Sequence, residues 1–154
     1  MKIISNMRTR RLLYFAYALF FASMLLPTFA VDLGANHNTV QPGYRVFLGG
    51  AVGAIGIILE PGGEPRNIYL GMYYLATWLA NFALLLPFVT LVPQNLLRLL
   101  AGISVLLAWS VLFRYIFVSD GLILELGFGY YLWSASITLV LLSLTVNPGA
   151  SAPD

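Results

Sequence analysis

Residues 69–91, YLGMYYLATWLANFALLLPFVTL, form the stretch that decides the fold class of this chain. They carry no charge, and the uncharged region around them runs from 67 to 97. The hydrocarbon core of a bilayer is about 30 Å thick, so about 20 helical residues are enough to cross it. The stretch therefore predicts a membrane-spanning helix, in which Pro87 kinks the last turn and Pro93 ends the helix.

Three other apolar runs have the length of a crossing, and they lie at 12–31, 96–117 and 128–146. Only residues 92–95 separate the second of these from the run at 69–91, so the two helices must be antiparallel neighbours. The whole chain, 1–154, is expected to be a single all-α domain, a polytopic bundle of four transmembrane helices. The small and polar residues 148–154 are expected to form a disordered tail.

The composition argues against a soluble protein and excludes several kinds of site. Of the 154 residues, 60% are hydrophobic and 9% are charged, with a mean hydropathy of +0.86. Soluble domains carry about 25% charged residues. The absence of cysteine excludes disulfides, thiolate metal sites and cysteine nucleophiles. The basic cluster within residues 2–11 runs directly into an apolar helix, which indicates membrane orientation and not nucleic-acid binding.

The segment 46–59, VFLGGAVGAIGIIL, is apolar but short. As a helix it would rise about 21 Å, less than a full crossing. Gly49 and Gly53 form the kind of small-residue pair that packs helices in lipid. We therefore expect a glycine-rich re-entrant or interfacial helix that packs against the bundle. The alternative is a fifth transmembrane helix, which the distribution of lysine and arginine between the loops slightly favours.

The basic residues before the first run predict a cytoplasmic N-terminus in a multi-pass protein of the cell membrane. These residues are Lys2, Arg8, Arg10 and Arg11. With four crossings the C-terminus is cytoplasmic as well, and with five it lies outside. A cleaved signal peptide is the rival interpretation of the first run, because Thr28 and Ala30 fit a signal-peptidase site. We expect the first helix to be retained.

Most of the other ionisable residues fall in loops that four crossings would place on the outer face. The candidate polar cluster there consists of Asp32, His37, Glu60, Arg66, Arg114, Asp120 and Glu125. His37 is the only histidine, and a lone imidazole makes a poor metal site. No catalytic, metal-binding or cofactor-binding residue is assigned, and no cofactor is expected. Arg114 has three interpretations: it snorkels to the headgroups, pairs with an acidic residue, or recognises an anionic headgroup.

Two short motifs hold several of the polar residues of the spans, WLAN at 78–81 and GYYLWSAS at 129–136. Asn81 is expected to hydrogen-bond across a helix interface. At these motifs the chain resembles a group of small bacterial four-helix membrane proteins with W-x-A-N-P and G-Y-x-L-W-x-A-S elements. Phe82 stands where that group tends to have proline. The resemblance covers most of residues 44–146 and implies four spans and a bacterial inner membrane, but no activity is established for the group.

The scarcity of ionisable residues in the spans favours a non-enzymatic protein, an accessory or structural subunit of a membrane assembly. One alternative is a transporter or channel. It would have to be a homo-oligomer, because a single four-helix chain has no room for a pore. Another is a lipid-active membrane enzyme that works at the polar outer face. The expected partners are the lipid bilayer and either another membrane protein or a second copy of this chain, and not nucleic acid.

Overall fold

The computed structural model describes residues 7–32, 38–60, 64–89, 92–117 and 123–146. Within these ranges the chain is mostly helical, with α1 (Met7–Leu25), α2 (Gly43–Ile58), α3 (Pro65–Leu79), a 3₁₀ helix (Ala80–Phe88), α4 (Gln94–Phe117) and α5 (Phe128–Thr145). The strands are β1 (Pro27–Asp32), β2 (Asn38–Pro42) and β3 (Ile123–Leu126). The predicted helical class is correct, but the all-α architecture is wrong because a small sheet is present. The predicted tail at 148–154 lies outside the described residues.

Three helical segments in the described ranges are long and apolar enough to cross a membrane, which is compatible with a multi-pass membrane protein. They are Pro65–Phe88, which combines α3 with the 3₁₀ helix, and then α4 and α5. With 16 residues, α2 is shorter. In α1, which has 19 residues, Arg8, Arg10 and Arg11 all fall within the first five positions, so the uncharged part is short. By length and composition, three helical segments could therefore cross a membrane, and the predicted count of four is not confirmed.

The predicted first helix, 12–31, extends too far at its carboxyl end. Its structural counterpart α1 ends at Leu25, and β1 begins at Pro27. The α conformation is disfavoured for a residue that precedes proline, which accounts for the break at Leu26. Proline is tolerated at the first position of a strand. The apolar pattern concealed this change because residues 28–31 are mostly apolar, like the helix before them.

The three strands form an antiparallel sheet in the order β2-β1-β3. Phe29 of β1 pairs with Gln41 of β2 and with Leu126 of β3. The backbone N–H of Gly127 donates to the Thr28 carbonyl at 2.9 Å, which extends the pairing to the start of α5. The sheet therefore ties the connection between α1 and α2 to the residues that lead into α5, at one end of the bundle.

The uncharged stretch that predicted a spanning helix changes type at its middle, where α3 gives way to a nine-residue 3₁₀ helix. Pro87 has no N–H, and its ring would collide with the carbonyl four residues earlier in an α-helix. Asn81 Nδ2 donates to the Trp78 carbonyl at 2.6 Å, and the Tyr17 hydroxyl donates to the Leu84 carbonyl at 2.6 Å. Both carbonyls thus have side-chain partners outside the α-helical pattern.

Close packing joins α2 to α3, and glycine makes it possible on both helices. An added Cβ at Gly50 would lie 2.9 Å from Cδ1 of Trp78. At Gly71 it would lie 2.7 Å from the carbonyl oxygen of Ala54. Contacts this short leave no room for a methyl group, so each glycine fixes how closely the two helices approach.

Both ends of α2 lie at the end of the bundle that carries the sheet. At its start, the Gly43 N–H donates to the Leu26 carbonyl at 3.0 Å, just before β1. Its last turns pack on Gly71 of α3. Two residues further along α3, the Tyr73 and Ser110 hydroxyls bond each other at 2.9 Å. Ser110 lies in the half of α4 that leads towards β3, so α2 starts and finishes near the sheet.

The core runs between α1, α4 and α5. Leu13 and Ala16 of α1 pack with Val140 and Leu144 of α5. Arg98 Nε donates to the Leu144 carbonyl at 2.9 Å, so the start of α4 meets the end of α5, away from the sheet. A second cluster, built mainly from small residues, consists of Ala80, Ala83, Ala108 and Ile137. These small side chains let the 3₁₀ helix, α4 and α5 approach closely.

Candidate functional site

A cavity of about 400 Å³ lies between α2 and the rest of the bundle. The end of α1, the sheet, α2, α3, the 3₁₀ helix, α4 and α5 all contribute to its mostly apolar wall. We call it the glycine cavity and define it by Arg45, Gly49, Gly53, Trp78, Asn81 and Trp133. No single motif predicted it, because its wall combines residues far apart in the sequence.

Two glycines keep the α2 wall of the cavity open. At Gly49 and at Gly53, an added Cβ would meet no atom within 4 Å. The prediction that this pair packs α2 against a neighbouring helix is therefore wrong. The neighbouring position Gly50 makes that contact instead, and it is spaced four residues from Ala54. Both pairs have the same small-residue spacing, so the sequence alone cannot tell which pair faces a helix and which faces open space.

A chain of hydrogen bonds holds the aromatic wall opposite α2. Trp133 Nε1 donates to Asn81 Oδ1 at 2.8 Å, and Asn81 Nδ2 donates to the Trp78 carbonyl. Trp78 Nε1 in turn donates to the Phe47 carbonyl of α2 at 2.7 Å. The prediction that Asn81 bonds across a helix interface is confirmed. Because both indole N–H groups are satisfied, the two tryptophans offer the cavity apolar ring surface.

Arg45 lies at the sheet side of the glycine cavity. It is exposed, and its guanidinium carbon lies 6.0 Å from the centre of the Tyr44 ring. Among the described residues it is the only charged one in the cavity wall. Thr28 and Gln41 of the sheet add neutral polar groups to that wall. The cavity therefore combines a polar, positively charged end with an apolar body.

A smaller cavity of about 240 Å³ lies between α1 and the 3₁₀ helix. It shares Phe47, Trp78 and Asn81 with the glycine cavity. Tyr17 and Phe88 form part of its wall, and their rings stack with centres 6.0 Å apart. Phe47 and Trp78 thus form a partition between two apolar spaces.

Only part of the predicted polar cluster falls within the described residues. His37 and Asp120 lie outside them. Asp32 is described by its backbone alone, which ends β1. Glu125 is exposed in β3, the strand that pairs with β1, so the sheet brings the backbones of Asp32 and Glu125 to the same end of the bundle.

The other cluster residues lie near the connection between α2 and α3 or at the end of α4. Glu60 and Arg66 are exposed, and the Asn67 amide donates to the Glu60 carboxylate at 3.4 Å. The Arg114 guanidinium carbon lies 5.0 Å from the centre of the Tyr73 ring, a cation–π contact that the sequence did not predict. None of the described cluster residues lines the glycine cavity. In the described ranges, no three side chains of the metal-ligating types gather at one place.

No family model, no curated protein and no solved structure matches this chain. The resemblance to small bacterial four-helix membrane proteins therefore stays a prediction. The two motifs that carry it are in contact, since Trp133 of the second motif donates to Asn81 of the first. The shared wall of the glycine cavity is where they meet.

Proposed function

We propose that this chain is a non-enzymatic integral membrane protein with four crossings, and that it binds a membrane amphiphile in the glycine cavity. The observation that carries the proposal is the cavity itself. Binding sites for small ligands are concave, mostly apolar and about 300–1,000 Å³ in volume, with a few polar groups that fix orientation. The glycine cavity, at about 400 Å³ with Arg45 at its sheet side, fits this description.

The sheet supports four crossings over five. In the five-crossing layout, the connection between α1 and α2 lies on one face of the membrane and the connection between α4 and α5 on the other. Pairing of β1 with β3 joins these two connections through backbone hydrogen bonds. Strand pairing needs both segments on the same side of the hydrocarbon core, because strands on opposite sides of it cannot form backbone hydrogen bonds with each other.

The position of α2 supports the same layout. A crossing helix would begin at one end of the bundle and finish at the other. Instead, α2 begins beside Leu26 and packs its last turns on Gly71, and both contacts lie near the sheet. We therefore propose that α2 is the short non-crossing helix, and that α1 makes the fourth crossing. The N-terminal basic cluster supports a cytoplasmic N-terminus.

The test is whether the purified protein retains an amphiphile in this cavity. Gly53→Leu would project a side chain into the open space, whereas Gly56→Leu is the matched control. An added Cβ at Gly56 also meets no atom within 4 Å, but Gly56 does not line the cavity. Native mass spectrometry of protein extracted in mild detergent should detect bound lipid on the unaltered chain and on Gly56→Leu. The proposal is wrong if the unaltered chain retains no more lipid than Gly53→Leu.

The same preparation distinguishes the other functional classes. A second protein in fixed stoichiometry supports an accessory subunit of a larger assembly. A homo-oligomer without retained lipid supports a transporter or channel. Chemical conversion of the retained lipid supports a lipid-active enzyme.

A further inference from the structure

We infer that the ligand of the glycine cavity is a single-chain amphiphile with an anionic head, a carboxylate or a phosphate, held at Arg45. This inference rests on the proposed function and narrows it to a class of ligand. The head is assigned by the charge at the sheet side of the cavity, and the chain by the apolar wall behind it.

The head assignment follows from Arg45. Its guanidinium is the one charged group that the described residues contribute to the cavity wall, and it is exposed. No ion pair joins it to a carboxylate of the described residues, so none of those carboxylates competes with a ligand for its donors. Guanidinium groups bind carboxylates and phosphates through two parallel hydrogen bonds, which a neutral or purely cationic head cannot accept in this way.

The chain assignment follows from the size and chemistry of the rest of the wall. A volume of about 400 Å³ is near the lower end of ligand sites, which favours one hydrocarbon chain over two. Gly49 and Gly53 leave the surface of α2 flat on one side of this space. Trp78 and Trp133 line the cavity, with their N–H groups already bonded. A chain that enters beside Arg45 therefore meets a mostly apolar wall.

Tryptophan fluorescence gives a direct test, because two of the three tryptophans line the cavity. Trp109→Phe removes the third, which bonds Thr138 and does not line the cavity. In this background, stearic acid brominated at mid-chain should quench the emission when bound. The methyl ester with the same chain is the neutral comparison, at alkaline pH so that the acid is ionised. Lysophosphatidic acid with the same brominated chain tests a phosphate head.

We expect the acid, lysophosphatidic acid or both to quench at about tenfold lower concentration than the neutral ester, because one charged hydrogen-bonded contact contributes about 1.4 kcal/mol. Which anion binds better identifies the source of the head. Arg45→Gln should abolish the difference between the charged probes and the ester. Equal quenching by charged and neutral probes in the unaltered cavity overturns the inference, even if Arg45→Gln does not fold. Quenching that Gly53→Leu leaves unchanged instead overturns the proposed function.

Discussion

Asn81 uses both ends of its side-chain amide to join two parts of the bundle. Its oxygen accepts from Trp133 of α5, and its nitrogen donates to the Trp78 carbonyl where α3 ends. Its role as a contact between helices was predictable, because an amide in a lipid-embedded helix needs a partner. The identity of that partner was not, because the rotation of each helix about its axis is set by packing and does not follow from the sequence of one helix.

Asn81→Leu is therefore expected to destabilise the protein by about 1 kcal/mol, the range of single hydrogen bonds between membrane helices. The indole N–H of Trp133 would lose its acceptor in a water-poor region, and the Trp78 carbonyl would lose a donor. Thr138→Val is the control, since it removes the acceptor of Trp109, an indole that is 38% exposed. Unfolding titrations with a denaturing detergent would measure both. A loss no larger than that of Thr138→Val would contradict the central role of Asn81.

Arg114 and Tyr73 are expected to be energetically coupled by about 0.5–1 kcal/mol, because the guanidinium lies over the ring. A double-mutant cycle with Arg114→Gln and Tyr73→Leu would measure this coupling. Tyr73→Phe keeps the ring and loses the hydroxyl bond to Ser110, so it should leave the coupling intact.

The same cycle with Glu125→Gln and with Asp120→Asn tests the pairing of Arg114 with an acidic residue, one of the interpretations from the sequence. Arg114→Lys adds a geometric test, because a lysine cannot reproduce the planar fork of arginine. Coupling to an acid but not to Tyr73 would contradict the cation–π interpretation. Losses of stability that are additive in every cycle would mean that Arg114 acts as an interfacial anchor.

At the scale of the elements, hydrophobic runs predicted the four long helical segments and the short one. Two prolines account for the differences in where one helix ends and which type of helix another forms. Pro27 ends α1 earlier than the apolar pattern suggests and opens a strand. Pro87 contributes to a 3₁₀ helix where a kinked α-helix was expected. The sheet was not predictable from local pattern, since its strands are short and pair residues almost a hundred positions apart.

The contact between α2 and α3 gives a prediction that separates two kinds of glycine. Gly71→Ala should destabilise the protein by about 1–3 kcal/mol, because its methyl group would overlap the Ala54 carbonyl and force the helices apart. Gly53→Ala should stabilise it by about 0.5–1 kcal/mol, because it enters open space and lowers the entropy lost by a helical glycine. Thermal unfolding in detergent compares the two. Equal effects of the same sign would mean that α2 does not pack on α3 at Gly71.

At the scale of the whole molecule, composition predicts a membrane bundle, and three helical segments of the described ranges are long and apolar enough to cross a membrane. The cavity could not be predicted, because it depends on how α2 lies against the other helices. Aromatic residues and glycines with the same sequence spacing occur in packed interfaces as well. The sheet affects both the bundle and the cavity, since it fixes the start of α2 and lines the cavity with Thr28 and Gln41.

The arrangement of the whole chain across the membrane gives the last prediction. Because the natural chain has no cysteine, single cysteines can be labelled without background. Cysteines at Val40, Glu64 and Glu125, all exposed, should react with a membrane-impermeant maleimide added to intact cells. Cysteines at Lys2 and Ser151 should react only after the membrane is permeabilised.

This pattern follows from the proposed four crossings, in which strand pairing and the return of α2 place all three connections on one face and the basic cluster places the N-terminus on the other. Five crossings would give a different pattern, with Val40 and Ser151 labelled from outside but Glu64 and Glu125 protected. That result would contradict the pairing of β1 with β3 in the membrane-embedded protein. Complete reversal of the labelling would keep the fold but overturn the cytoplasmic N-terminus. A match to the expected pattern would leave the glycine cavity open towards the outer headgroups, where an anionic amphiphile can reach Arg45.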